Sequence, residues 1–184
     1  LGSPYEVTGA AHLQRGVDGA PVTMIRLEGF ENSVAYRAGE LQSLLAEFGS
    51  FVLETDPEKT EADWNYVRDV SPFHGRDGDV WRISVKPTDA AGLVADLGGA
   101  EALYDWGGGL IWLLAPEGSG VSAAKLRAAV AARGGHAMLI RGDRSRATFP
   151  PLPAPVAALQ EGLRQKFDPR LILNPGLMAQ GETA

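Results

Sequence analysis

The residues best placed to do chemistry in this 184-residue chain are arginines on strands. In "DVWRISVK" (79–86), alternate residues share one face of an extended strand. Trp81, Ile83 and Val85 make an apolar face suited to packing against helices, and Val80, Arg82, Ser84 and Lys86 make the other. A guanidinium on an open sheet face can hold a carboxylate through two parallel hydrogen bonds. Arg26 in "MIRLEG" and Arg141 in "LIRG" are strand-borne as well. The competing reading is a solvated face whose cations pair with Glu28 or Asp105, as surface ion pairs do at little net gain.

Other chemistries have weaker footing. The three histidines, His12, His74 and His136, are not spaced with further ligand-type residues at i+3 or i+4. "FHGRDGD" (73–79) gathers a histidine and two aspartates, but Asp77-Gly78 reads first as a turn before a strand. No metal is assigned, because such a site needs three or more convergent ligands. "WGGGL" (106–110) is too short for a phosphate cradle and lies between two strands, so it reads as a turn. No serine sits in a nucleophile elbow with a histidine beside it. No catalytic residue is assigned on these grounds.

Composition narrows the classes further. Cysteine is absent, which excludes thiol catalysis, disulfides and cysteine-held metal centres, and fits a cytosolic setting. The net charge of −6 argues against a general nucleic-acid binder, which would carry a basic face. No apolar run reaches membrane length, and no basic region followed by an apolar run marks a signal peptide. The chain opens on Leu1-Gly2-Ser3-Pro4 and not Met, which leaves a fragment, a processed chain or a renumbered product open.

The elements that must position the arginines follow from periodicity. Residues 5–11 and 22–28 read as strands around a turn at Gly19. A helix follows, with Ser33 as N-cap and Val34, Ala38, Leu41, Leu45 and Phe48 at helical spacing. "SFVLET" (50–55) reads as a short strand, and 60–70 as a helix with Trp64 and Val67 inward. From Asp79 onward the order is strand, helix capped by Thr88 or Asp89, strand, strand, helix with Leu126 and Val130 inward, strand. This β-α-β-β-α-β order is the ferredoxin-like split unit. "RSRATFPPLPAP" (144–155) is a Pro-rich connector to a helix over 156–167. The fold class is therefore α+β: a mainly antiparallel sheet with helices packed on one face. One domain over 1–184 is expected. It divides further into ferredoxin-like units at 1–75 and 76–150 and a C-terminal helix and strap at 151–184.

Six stretches carry a resemblance: "SPYEVTGAAHL" (3–13), "IRLEGFENSVAYR" (25–37), "VWRISVKP" (80–87), "YDWGGGLIWL" (104–113), "GGHAMLIRGD" (134–143) and "FDPRLILNPGLM" (167–178). Together they resemble the C-terminal domain of FAD-linked oxidases of the vanillyl-alcohol oxidase type. The likeness is greatest to the smaller FAD-linked subunit of bacterial glycolate oxidase (glycolate dehydrogenase).

The resemblance implies a ferredoxin-like cap or substrate domain that packs on an N-terminal FAD-binding domain not contained in this chain. It implies FAD as cofactor, held mainly by that domain, and oxidation of glycolate or a related 2-hydroxy acid. It also implies the larger FAD-linked subunit and an iron–sulfur subunit as partners, and a cytoplasmic place, peripheral to the inner membrane through the complex. The isolated chain is then expected to be inactive.

Carried over by position, Asn174, Pro175 and Gly176 lie near the flavin or the inter-domain contact. Arg82 faces a substrate carboxylate, and Trp106 and Trp112 line the cap. Two departures remove a cation: Ile111-Trp112-Leu113 stands where the family pattern has Arg-Trp-Leu, and Leu177 where it has Arg or Lys. The alternatives are a stand-alone ferredoxin-like module that binds a small acid, or a catalytically silent scaffolding domain of the oxidase. Leu171 to Leu173 are expected to pack on the domain's own edge.

Overall fold

The computed structural model of the chain describes residues 2–143 and 146–175. Its centre is the order predicted from Asp79 onward. β3 (Asp79–Ser84), α3 (Pro87–Leu97), β4 (Glu101–Asp105), β5 (Leu110–Ala115), α4 (Ala123–Ala131) and β6 (His136–Arg141) run as a ferredoxin-like unit. Its strands lie in the spatial order β4-β5-β3-β6, all antiparallel. A hairpin of β1 (Gly9–Leu13) and β2 (Val22–Arg26) extends this sheet at the β4 edge, where His12 and Leu13 oppose Tyr104 and Leu103. The result is one six-stranded antiparallel sheet.

Side-chain alternation gives the sheet two faces with different partners. Trp81, Ile83, Ile111, Leu113, Ala137 and Leu139 point to one face and meet Leu93, Leu97, Leu126 and Val130 of α3 and α4. This is the larger core, and its helices are those the sequence periodicity placed there. On the other face, Ala11, Leu13, Leu103, Val80 and Leu114 meet Val67, Val70 and Phe73. Val67 belongs to α2 (Pro57–Arg68), and Phe73 to a 3-10 turn that follows it. Helices α3 and α4 thus stack on one face as expected, while α2 covers part of the other. Fully burying one such leucine, valine or phenylalanine contributes about 1.5–3 kcal/mol, so both cores matter to stability.

Gly78 fixes the entry to β3. Its φ is 123°, and a Cβ there would lie 2.5 Å from the Ala115 carbonyl oxygen. Only glycine fits where the backbone approaches β5 so closely.

Several local expectations are corrected. No strand forms over 50–55: Phe51, Val52 and Leu53 are exposed. There the Glu54 carboxylate accepts from the Thr55 and Asp56 amides, turning the chain into the Asp56 cap of α2. Ser33 is not a cap, because α1 (Glu31–Leu44) begins one turn earlier, after Phe30. Neither Thr88 nor Asp89 caps α3, which starts at Pro87 after Lys86. The first strand begins at Gly9 and not at Tyr5. Buried Arg37 of α1 donates to the Tyr5, Glu6 and Glu28 carbonyls and holds that segment off the sheet.

The expected packing of Leu171 to Leu173 also fails. These residues are 52%, 60% and 63% exposed. Buried Asp168 accepts from the Ile172 and Leu173 amides and curls the segment on itself at the end of α5 (Ala154–Phe167), a helix with no buried residue. The Ile172 and Leu173 amides are therefore not free to pair with a sheet edge.

Candidate functional site

Of the three strand arginines, two have polar partners within the fold. Arg26 pairs with Glu28 at 3.4 Å and lies over the Trp64 ring, 4.8 Å from its centroid. Arg141 donates to the Phe73 carbonyl at 3.0 Å and to the Arg76 carbonyl, tying β6 to the 3-10 turn. The solvated-face reading holds for Arg26. Among the described residues Asp105 pairs with no arginine; its carboxylate accepts the Trp106 N–H at 2.7 Å.

Arg82 differs. It stands half-buried in the middle of β3, flanked by β5 and β6, and opposite Trp112 in the β3–β5 register. Its guanidinium carbon lies 5.2 Å from the Trp106 ring centroid and 6.0 Å from that of Trp112. Among the described residues it has no hydrogen bond and no ion pair. Two indole faces attract the cation and shield it from water without neutralising it. The three residues carried over for substrate binding, Arg82, Trp106 and Trp112, are thus brought together. Lys86, read on the same face, leaves the strand and precedes α3, exposed.

Trp106 reaches this position at a conformational cost. Its φ is 54°, in the left-handed region that bulky side chains rarely adopt. The Asp105 carboxylate holds its amide, and its carbonyl accepts from Gly109 at 3.2 Å. Such strain persists where surrounding structure over-determines it, and it clusters at functional sites. Beside Trp112 the open face dips into a shallow depression of about 300 Å³, walled by Val70, Phe73, Val80, Ile140 and Arg141.

Sequence reasoning did not connect the rest of this face. In the β3–β6 register Met138 opposes Arg82, and His136 opposes Ser84, all four on the open side. The parity of β6 was available in the sequence, but its pairing register was not.

The candidates for cofactor contact sit elsewhere. Asn174 (φ 45°) and Pro175 are exposed in the strap beyond α5, and Gly176 lies outside the described residues. The turn from β5 into α4 folds its amides onto itself, Ser119 N–H donating to the Pro116 carbonyl and Val121 N–H to the Ser119 hydroxyl. Ser122 then caps α4 through the Lys125 amide. Neither turn nor strap offers a phosphate cradle, so the described residues do not fit a stand-alone FAD site. Among the described residues no group of three or more histidines and carboxylates could hold a metal ion, and no helix is long and apolar enough to cross a membrane.

Fold and face together define an α+β, ferredoxin-like domain with a cationic patch framed by tryptophans. The chain is 36% identical over 155 residues, 84% of its length, to glycolate oxidase subunit GlcE of Escherichia coli (strain K12). The chain thus resembles a glycolate oxidase subunit, in line with the resemblance read in the sequence. The aligned part spans 38% of that relative's length. No family profile and no solved structure matches the chain.

Proposed function

We propose that this chain is the C-terminal cap or substrate domain of an FAD-linked glycolate oxidase (glycolate dehydrogenase) subunit. On this reading Arg82 holds the carboxylate of glycolate or a related 2-hydroxy acid. The observation that carries it is a half-buried guanidinium between two indoles with no anionic partner among the described residues. An incoming carboxylate meets a cation already partly stripped of water and can take both fork hydrogen bonds. Trp106 and Trp112 orient that fork and keep water from its flanks.

FAD, held by a domain outside this chain, would supply the oxidation chemistry. The residues here bind and orient the acid. The larger FAD-linked subunit and the iron–sulfur subunit would complete the assembly, on the cytoplasmic side and peripheral to the inner membrane. The isolated chain is then catalytically inactive.

The test is Arg82→Gln in the assembled oxidase. Losing a charge-assisted carboxylate contact costs about 2 kcal/mol or more, which lowers kcat/KM for glycolate about thirtyfold or more. Unchanged turnover across glycolate concentrations removes Arg82 from the substrate site.

A further inference from the structure

Ser84 and His136 face each other across β3 and β6, one pair along from Arg82 and on the same open side of the sheet. Opposed side chains on an antiparallel pair have β-carbons about 4.5–5.5 Å apart, and diagonal neighbours about 7–8 Å. His136 is exposed and Ser84 half-buried, and among the described residues neither side chain makes a hydrogen bond or ion pair. Arg82, Ser84 and His136 are thus one cation, one hydroxyl and one imidazole. Among the described residues none of the three has a hydrogen bond or an ion pair, and their β-carbons lie within about 8 Å of each other.

We infer that Ser84 and His136 recognise the 2-hydroxyl of a 2-hydroxy carboxylate whose carboxylate sits on Arg82. This rests on the reading of Arg82 given above. A carboxylate caught in the guanidinium fork points carbon-2 away from the fork, and the 2-hydroxyl branches from that carbon. Trp112 of β5 opposes Arg82 on one side, and Met138 of β6 opposes it on the other, with His136 one pair along. A neutral imidazole nitrogen accepts the hydroxyl proton, or its N–H donates to the hydroxyl oxygen, and the Ser84 hydroxyl takes the complementary role. An acid without the 2-hydroxyl leaves both groups to water. Each such hydrogen bond is worth about 1 kcal/mol net, so two of them make the site prefer the hydroxy acid about thirtyfold.

The experiment is an NMR titration of the 184-residue chain with glycolate and with acetate, following the His136 ring and the backbone of β3 and β6. The variants are Arg82→Gln, Ser84→Ala, His136→Ala and His136→Gln. The wild type should bind glycolate about thirtyfold more tightly than acetate. His136→Ala and Ser84→Ala should weaken glycolate and leave acetate unchanged, bringing the ratio towards one, and His136→Gln should restore part of it. Arg82→Gln should weaken both acids. A glycolate preference that survives His136→Ala and Ser84→Ala, while Arg82→Gln still abolishes binding, overturns this inference and leaves the Arg82 site standing. Absence of binding, or binding indifferent to Arg82→Gln, overturns the Arg82 reading and this one with it. All three substituted positions are on the same face of the sheet, and an unchanged amide spectrum away from β3 and β6 verifies folding.

Discussion

Trp106 offers a test in which two substitutions that both weaken binding differ in stability. Its φ of 54° places an L-residue in the left-handed region, at roughly 1–2 kcal/mol. Glycine avoids that cost but frees the unfolded chain, which offsets about 0.5–1 kcal/mol. Trp106→Gly and Trp106→Ala both lose the indole above Arg82, a contact worth about 0.5–1 kcal/mol at an exposed position, and the ring is 57% exposed. That loss cancels when the two variants are compared. Trp106→Gly should therefore be more stable than Trp106→Ala by about 0.5–1 kcal/mol, the reverse of the order inside regular structure. Urea unfolding followed by circular dichroism, at equal m-values, reads the difference directly. Both variants should also bind carboxylate more weakly than the wild type. An alanine variant as stable as the glycine variant would refute the strained-turn reasoning.

Arg37 is buried and donates to four carbonyls, those of Tyr5, Glu6, Glu28 and Ser33. Arg37→Ala should cost about 3 kcal/mol, seen as a lower unfolding midpoint together with faster amide exchange over residues 5–8. Gly78→Ala meets both a positive φ and the Ala115 carbonyl, and should cost about 2 kcal/mol or more. By contrast Gly39→Ala, inside α1 with nothing within 4 Å of its Cβ position, should stabilise by about 0.5–1 kcal/mol. Burial raises the Tyr104 phenol above its ordinary value. The unfolded chain then ionises first, at about pH 10. Stability from this residue is intact below that pH and falls as pH climbs towards the higher folded value. Tyr104→Phe should flatten that part of the alkaline decline in unfolding midpoints, and an unchanged decline would show that burial of the phenol is not its source.

Much of the fold was legible because its signals are local. The alternation in "DVWRISVK" assigned Trp81 and Ile83 to one face and Arg82 to the other, as the two cores require. Leu126 and Val130 were placed inward by spacing alone, and the structure buries both. What failed was decided at a distance or by backbone geometry. Arg37 reaches from α1 to the Tyr5 and Glu6 carbonyls, which no strand propensity over 5–11 can reveal. The 50–55 segment, with its apolar 51–53 run, looked like a strand, but it joins no strand of the sheet among the described residues. Helices α1 and α3 begin without a side-chain cap, so searching for Ser, Thr or Asp misplaced both starts. At the site, parity identified the face of Arg82. The meeting with Trp106 and Trp112, and the nearness of His136, depend on register, which is a non-local property. The strap was misread because Asp168, four residues before Ile172, takes up the amides that sheet pairing would have used.

The central claim is that Arg82, and not Arg26 or Arg141, receives the carboxylate of a small hydroxy acid. Its most direct test is the side-chain Nε–H resonance of each arginine during titration of the chain with glycolate. A saturable shift confined to Arg82, accompanied by the indole N–H resonances of Trp106 and Trp112, is the predicted result. A shift that instead follows Arg26 or Arg141, or that leaves Arg82 unmoved while the acid binds, would contradict it.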